Sequence, residues 1–149
     1  MSTLADAAVR DACFARLARL TPSATRQWGK MTAHQMLCHL SDSFDVAAGT
    51  KHASAASGLF QRTVMKWVAL RTPLPWPHGV PTRPELVQGS GGTPPSEWET
   101  DCAALKRRIA EFASHQQFAQ HPIFGTMNAP EWLIWGYRHV DHHLRQFGV

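Results

Sequence analysis

The chain has 149 residues, a formal net charge of +4 at pH 7 and a sequence pI near 9.3. Hydrophobic residues make up 44% and charged residues 17%, which is typical of a globular protein and excludes a disordered one. Its basic residues are scattered apart from the triplet at 106–108, so nucleic-acid binding is not expected. The length predicts a single domain over residues 1–149.

Targeting and redox signals point to a cytoplasmic protein. The segment 1–14 has no continuous apolar core of the kind found in secretory signals, and no window is long and apolar enough to cross a bilayer. Cys13, Cys38 and Cys102 are odd in number and widely separated, so reduced thiols are expected rather than a disulfide framework. Cys38 adjoins a histidine, yet neighbouring helical side chains diverge by about 100°, which favours a buried and unreactive thiol.

Two helices are predicted in the first third of the chain. The first spans about Ser2 to Leu20, and the second runs from about Thr32, a plausible N-cap, to Ala48, with Gly49 following. The apolar positions at helical spacing in the first helix are Leu4, Ala8, Ala12 and Ala15. Those in the second helix are Met36, Leu40, Phe44 and Ala47.

The middle of the chain predicts a short helix followed by a long irregular segment. Apolar residues between Gly58 and Leu70 recur at amphipathic helical spacing. The segment 72–95 then holds seven prolines and four glycines, which excludes regular helix over most of its length. Irregular segments this long are often functional, so we expect this one to cover one end of the fold. Its aromatic Trp76 favours that packing.

Two further helices complete the fold. One is predicted from Ser96, with Ser96 and Glu99 as a capping box, to about Phe118. The last begins at Asn128, which forms a second capping box with Glu131, and contains a glycine at position 136 that should allow close approach of a neighbour. The buried stripe expected for the first of these helices is Leu105, Ile109 and Phe112. The pattern predicts an all-α four-helix bundle with a long Pro/Gly-rich connection between helices 2 and 3.

The last helix carries a cluster of histidines. His139 and His143 are four positions apart, about 40° around a helix axis, so both imidazoles could bind one divalent metal ion. His142 is three positions from His139 and could take the place of His143. Spacing alone therefore leaves the pair open, and histidines at a helix end also occur without a metal.

A third ligand could come from the second helix. His39 borders its apolar stripe, and the alternative is a core-edge histidine that is hydrogen-bonded to a neighbour. His34 lies five residues earlier, about 140° around the helix, and is expected to be an ordinary first-turn residue. Asp42, one turn after His39, could orient an imidazole or act as a base, with a solvated surface carboxylate as the alternative.

These stretches together resemble a known superfamily. The second helix, with Trp28, Thr32 and the run His39-Leu40-Ser41-Asp42-Ser43, and the last helix, with His139 and His143, are similar to the DinB-like superfamily of small metal-binding four-helix bundles. The resemblance covers nearly the whole chain. The segment 128–137 is especially similar to a branch described as a domain of unknown function.

The resemblance implies a metal site and a reaction. The superfamily binds its metal through one histidine of the second helix and two of the last, which here are His39, His139 and His143, while His142 matches a histidine that is not a ligand. Relatives include metal-dependent transferases that add a low-molecular-weight thiol to an electrophile, and they often pair as homodimers.

The expected protein is therefore an enzyme of the detoxification or stress type that acts on a small-molecule substrate, with a low-molecular-weight thiol as co-substrate. Zinc, nickel and iron all suit three imidazoles, so the metal is left open. The alternatives are a metal-dependent hydrolase and a non-catalytic metal- or ligand-binding bundle.

Overall fold

A computed structural model describes residues 1–56 and 58–149. Within these residues there are five α-helices and no strands, only two isolated bridges. The helices are α1 Ala7–Leu17, α2 Ala33–Ala47, α3 Lys66–Arg71, α4 Trp98–Ser114 and α5 Ala129–Gln146. A π-helical turn, Gln61–Met65, leads into α3, and a 3₁₀ turn, Pro84–Leu86, interrupts the segment between α3 and α4. The expected all-α class is confirmed.

Helix α2 forms the centre of the fold. Thr32 caps it, with its side chain accepting from the amide of Gln35, and the Gln35 side chain accepts from the Thr32 amide in return. The helix packs chiefly against α4 and also contacts α5. All four residues of its predicted stripe are buried, which confirms that stripe: Met36, Leu40, Phe44 and Ala47.

Helix α5 completes the core opposite α2. The predicted capping box between Asn128 and Glu131 is present. Gly136 is buried, and a Cβ built there would lie 2.8 Å from Leu4 Cδ1 and 2.8 Å from Phe112 Cε1. The prediction that this glycine allows close approach of a neighbour is confirmed.

Four predicted helix boundaries are wrong, since α1 ends at Leu17 rather than Leu20, α4 ends at Ser114 rather than Phe118, and both helices begin later than predicted. Helix α1 begins at Ala7 rather than Ser2, because Asp6 caps it and Leu4 lies before it, with its amide bonded to the carbonyl of Leu133. Helix α4 begins at Trp98 after an N-cap, Glu97, that makes no side-chain capping bond, so the capping box expected at Ser96 is absent. The Ser96 amide and hydroxyl bond instead to the Asp101 carboxylate.

The connection after α3, which we call the cover segment (residues 72–97), lies over the facing sides of α2 and α5. Arg138 of α5 donates to the carbonyls of Thr72 and Leu74. The His78 ring stacks on Trp28 with ring centroids 3.9 Å apart. This irregular stretch therefore packs against the rest of the fold, while its expected position over one end of the bundle stays a prediction. No helix in the described part of the chain combines the length and the apolar character needed to cross a membrane.

Candidate metal centre

Three histidine side chains meet between α2 and α5. His39 comes from α2, and His139 and His143 come from successive turns of α5. One ring nitrogen of each lies within 4.8 Å of the corresponding nitrogens of the other two. The Nε2 atoms of His39 and His139 are 3.3 Å apart. Three imidazoles at this spacing could hold one divalent metal ion.

Burial keeps these imidazoles in the neutral form that binds metals. His39 is 5% exposed and His143 is 7% exposed. Burial lowers the pKa of His39, and it lowers the pKa values of His139 and His143 well below the usual value. The neighbouring imidazoles add to the lowering at His139 and His143 because each disfavours a positive charge on the next.

Hydrogen bonds select the ring nitrogen that faces the centre of the cluster. Nδ1 of His39 lies 3.3 Å from the carbonyl oxygen of Leu86, and Nδ1 of His143 lies 2.8 Å from Oε1 of Gln146. Because both partners are acceptors, both Nδ1 atoms must carry the proton. The Nε2 atoms of these two histidines are therefore unprotonated, and each has a lone pair that could bind a metal ion; that of His39 accepts from His139 Nε2 in this structure.

Gln146 is held in the orientation that this arrangement requires. Its side-chain nitrogen donates to the carbonyl of Trp28 at 2.8 Å, which directs Oε1 toward His143. The residue is only 3% exposed. Sequence reasoning missed Gln146, although a glutamine three positions after a histidine in a helix is a recognisable signal. No sequence signal pointed to the carbonyl of Leu86.

His139 is positioned by aromatic packing. Its ring centroid lies 4.8 Å from that of Trp135 and 5.9 Å from that of Trp76. Its Nδ1 is buried without a hydrogen-bond partner among the described residues. The cover segment therefore contributes to the cluster twice, through the carbonyl of Leu86 and the ring of Trp76.

The three histidines open onto a cavity of about 1030 Å³. Its walls come from the segment before α3, from the cover segment, from the loop that precedes α5, and from α2 and α5. The walls are mostly apolar; among the lining side chains are Phe60, Val64, Leu74, Trp76, Val80 and Phe124. A large apolar cavity with a few convergent polar groups is the usual form of a small-molecule site.

His142 lies about 100° from His143 around the helix axis, which predicts that it points toward solvent or a neighbouring helix. It lies outside the three-histidine group, as expected, but it lines the same cavity instead. Its ring is 5.8 Å from Trp28, 6.1 Å from Trp76 and 6.1 Å from His78, measured between centroids. The cover segment, whose path the sequence did not reveal, encloses this side of α5.

The contacts of Asp42 contradict two of the three roles considered for it, and Asp42 does not line the cavity in which a base would act. It is 1% exposed, so it is not a surface carboxylate, and its hydrogen bonds go to Thr93 and not to an imidazole. It therefore fastens the cover segment to α2.

A second group of potential ligands lies between α2 and α4. Nε2 of His34 is 2.7 Å from Oδ2 of Asp101, and Sγ of Cys38 is 3.8 Å from the same oxygen. Ligand atoms of the three residues lie within 4.8 Å of one another. Burial and the adjacent Asp101 raise the pKa of Cys38 to about 12, which agrees with the unreactive thiol expected from the sequence. His34 is thus paired with Asp101, which the sequence did not indicate.

A family model of proteins of unknown function, DUF1569, matches residues 5–148. The chain belongs to this family. The match includes all three clustered histidines and the cover segment, so the site described here lies within the region that defines the family. Comparison with curated proteins and with solved structures gives no match.

Gln146→Leu tests the hydrogen bond that orients His143. Removing the acceptor frees the His143 ring to rotate and to change tautomer, and we expect metal affinity to fall about 10- to 100-fold. Competition titration with a chelator of known affinity measures the change. Gln116→Leu, an exposed substitution outside the site, is the matched control. Unchanged affinity in Gln146→Leu would show that this bond does not tune the site.

His121 predicts a pH dependence of stability. Burial lowers its pKa from 6.5 to about 3, and its Nδ1 accepts from the amides of Ile123 and Phe124. Between pH 6.5 and 3 only the unfolded state binds this proton, so stability falls as the pH drops, by about 1.4 kcal/mol per unit. His121→Asn keeps a side-chain acceptor for the turn without a titrating group. We expect its free energy of unfolding to depend less steeply on pH below 6.5.

Urea denaturation of the metal-free proteins at several pH values between 4.5 and 7.5 measures this difference. Because the three clustered histidines titrate in the same direction in both proteins, the difference in slope isolates His121. Loss of the His121 ring, which packs on Phe124 at 4.6 Å between centroids, lowers stability at every pH without changing the slope. Parallel curves for the two proteins would contradict the assignment.

Proposed function

We propose that His39, His139 and His143 bind one divalent metal ion, and that the protein is a metal-dependent enzyme transferring a low-molecular-weight thiol to an electrophile. One observation carries the proposal. Three buried neutral imidazoles, two of them with Nε2 left unprotonated by hydrogen bonds at Nδ1, converge at the wall of a cavity of about 1030 Å³. Three protein ligands are typical of catalytic sites, since structural zinc sites are closed by four.

The residues of the site have two roles, since the three histidines would hold the ion and the apolar wall residues enclose the space beside it. His39 and His143 are oriented by Leu86 and Gln146 before any metal arrives, so little reorganisation accompanies binding. A divalent ion held by His39, His139 and His143 would lower the pKa of a thiol or water that binds beside these residues. The mostly apolar walls suit an organic electrophile, which favours transfer of a thiol over hydrolysis.

The choice of thiol transfer rests on the resemblance to the DinB-like superfamily, in whose characterised members this chemistry occurs. All-nitrogen ligation suits zinc, nickel and iron alike. A homodimer follows from the same resemblance, and light scattering checks it.

The test uses untagged protein and begins with metal analysis. Turnover is then measured with a panel of low-molecular-weight thiols and 1-chloro-2,4-dinitrobenzene. In this reaction the thiol loses its proton, its sulfur bonds to the ring carbon, and chloride leaves. We expect turnover that depends on both metal and thiol. Turnover of ester or amide substrates without thiol would favour the hydrolase, and bound metal without turnover would favour a binding protein.

A further inference from the structure

The cavity beside the three histidines has walls of one charge sign. Among the described residues that line it, the only charged side chains are Lys30 and Arg83, both cationic, and no carboxylate is present. Neither cation forms an ion pair within 4.0 Å among the described residues, although Arg83 is close enough to Glu85 to contribute to the lowered pKa of that carboxyl. A divalent ion on three neutral imidazoles would add further positive charge. An anionic ligand is therefore favoured over a neutral or cationic one.

The unpartnered hydrogen-bonding groups of the lining residues also favour an anionic ligand. Four buried side-chain nitrogens on lining residues have no partner among the described residues: Arg83 Nε, Gln88 Nε2, Trp132 Nε1 and His139 Nδ1. The fifth unpartnered buried atom, Oε2 of Glu85, belongs to a residue off the wall. Buried donors normally find acceptors. Three of these nitrogens, those of Arg83, Gln88 and Trp132, carry N–H donors, so a ligand rich in acceptors suits these residues better than one rich in donors.

Arg83 and Gln88 lie on the cover segment, before and after Leu86, whose carbonyl oxygen orients His39. Arg83 is anchored by Nη2, which donates to Ser54 Oγ at 2.6 Å, while its Nε remains unpartnered. Gln88 follows Leu86, whose carbonyl accepts from His39. The segment that orients a ligand of the metal therefore also carries the charge and amide that could bind an acceptor group.

We propose that the cavity binds an apolar organic monocarboxylate, with the carboxylate bound by residues 83–88 and the apolar body against the walls. This inference rests on the proposed function, because it names the chemical class of the second substrate of that site. The volume of about 1030 Å³ lies at the upper end of small-molecule pockets, which leaves room for a chain or ring system beside a small thiol. Phe60, Val64 and Leu74 provide apolar contact area for such a body.

Isothermal titration of the metal-loaded protein tests the proposal with decanoate, decanol and decylamine, which share one chain and differ in head group. We expect decanoate to bind at least tenfold more tightly than decanol, and decylamine to bind most weakly. In the series hexanoate, octanoate and decanoate, the Kd should fall about fourfold for each added methylene. Arg83→Gln should reduce decanoate affinity about tenfold and leave decanol affinity unchanged.

Two further variants sharpen the assignment. Gln88→Leu keeps a side chain of similar size without the donor, and should weaken decanoate binding several-fold. Arg107→Gln makes the same charge change as Arg83→Gln on an exposed ion pair of α4, where the arginine side chain is 65% exposed, and should change nothing. Equal binding of decanoate and decylamine, or an Arg83→Gln protein that retains full preference for decanoate, would overturn the proposal.

The failure of this inference can be told apart from failure of the proposed function. The titrations are repeated on metal-free protein and on His39→Ala. If the metal site is wrong, His39→Ala binds as much metal as the unsubstituted protein. The effect of Arg83→Gln on decanoate affinity can still be measured in that case. If the ligand class is wrong, metal content still responds to His39→Ala while decanoate shows no preference over decanol. A preference that vanishes with the metal but survives Arg83→Gln would place the carboxylate elsewhere than residues 83–88 and so also contradict the proposal.

Discussion

Alanine in place of His39, His139 or His143 is expected to remove most of the bound metal. Each substitution leaves two of the three convergent imidazoles, and the cavity walls carry no carboxylate among the described residues that could replace the lost ligand. His142 lines the same cavity but lies outside the three-histidine group. Two neutral nitrogens are a poor match for a divalent ion that needs at least three protein ligands. Metal content of untagged protein by plasma mass spectrometry, with calorimetric titration of the apo form, measures the loss. Any thiol transfer should fall in parallel in the same three variants.

Two other histidines provide matched controls. His142→Ala removes an imidazole that faces the same cavity but lies outside the group, and His34→Ala removes one that pairs with Asp101. Both proteins should retain the metal. Full occupancy in His39→Ala would contradict the ligand set and favour a site built wholly from α5. Loss of metal in His34→Ala would indicate that the metal binds to the group formed by His34, Cys38 and Asp101.

The helices that face the core could be predicted because local and tertiary signals agree there. In α2 the capping residue Thr32 and an apolar stripe of large side chains indicate the same helix, and the structure has both. In α5 the box formed by Asn128 and Glu131 marks the first residue correctly. Large apolar side chains at helical spacing have little alternative to burial on one face.

The predicted buried face of α1 was wrong because it was based on alanines. Ala8, Ala12 and Ala15 lie on the exposed side, while Cys13 and Leu17 are buried. An alanine has too little apolar surface to decide which face of a helix is buried. The end of α4 failed for a different reason: after Ser114 the chain extends so that Phe118 stacks on Trp132, with centroids 5.5 Å apart, a tertiary contact that no local pattern contains.

The candidate site was only partly accessible from spacing. His142 and His143 are equally good partners for His139 by helical geometry, and the resemblance to a known superfamily chose between them. The structure gives physical reasons for the difference, since Gln146 orients His143 while Trp28 and Trp76 surround His142. These contacts come from segments distant along the chain. The metal itself and the reaction are not encoded in the spacing at all, because three imidazoles suit several ions.

Asp42→Ala is expected to be the most destabilising substitution of a polar residue near the site. The carboxylate is 1% exposed and accepts from the Thr93 amide at 2.8 Å and from the Thr93 hydroxyl at 2.6 Å. Lys51 Nζ lies 3.3 Å from the same group. Removing it leaves two donors and a cation without their acceptor, which costs about 3 kcal/mol or more. Urea denaturation at neutral pH, with and without metal, measures the loss.

Two controls separate the buried carboxylate from a surface charge. Thr93→Val removes only the hydroxyl bond and should cost about 1 kcal/mol. Glu111→Gln removes an exposed carboxylate, 67% exposed and paired with Arg107, and should change stability by less than about 0.5 kcal/mol. An Asp42→Ala protein as stable as Glu111→Gln would show that the carboxylate does not fasten the cover segment.

The same substitution should weaken the metal site without touching a ligand. Thr93 lies in the cover segment, and the Leu86 carbonyl of that segment fixes the tautomer of His39. Once Asp42 no longer holds the segment against α2, amide hydrogen exchange at residues 86–93 should speed up, and metal affinity should fall together with it. Faster exchange there with unchanged metal affinity would mean that His39 keeps its orientation without Leu86. In that case the cover segment encloses the cavity but does not orient the metal ligands.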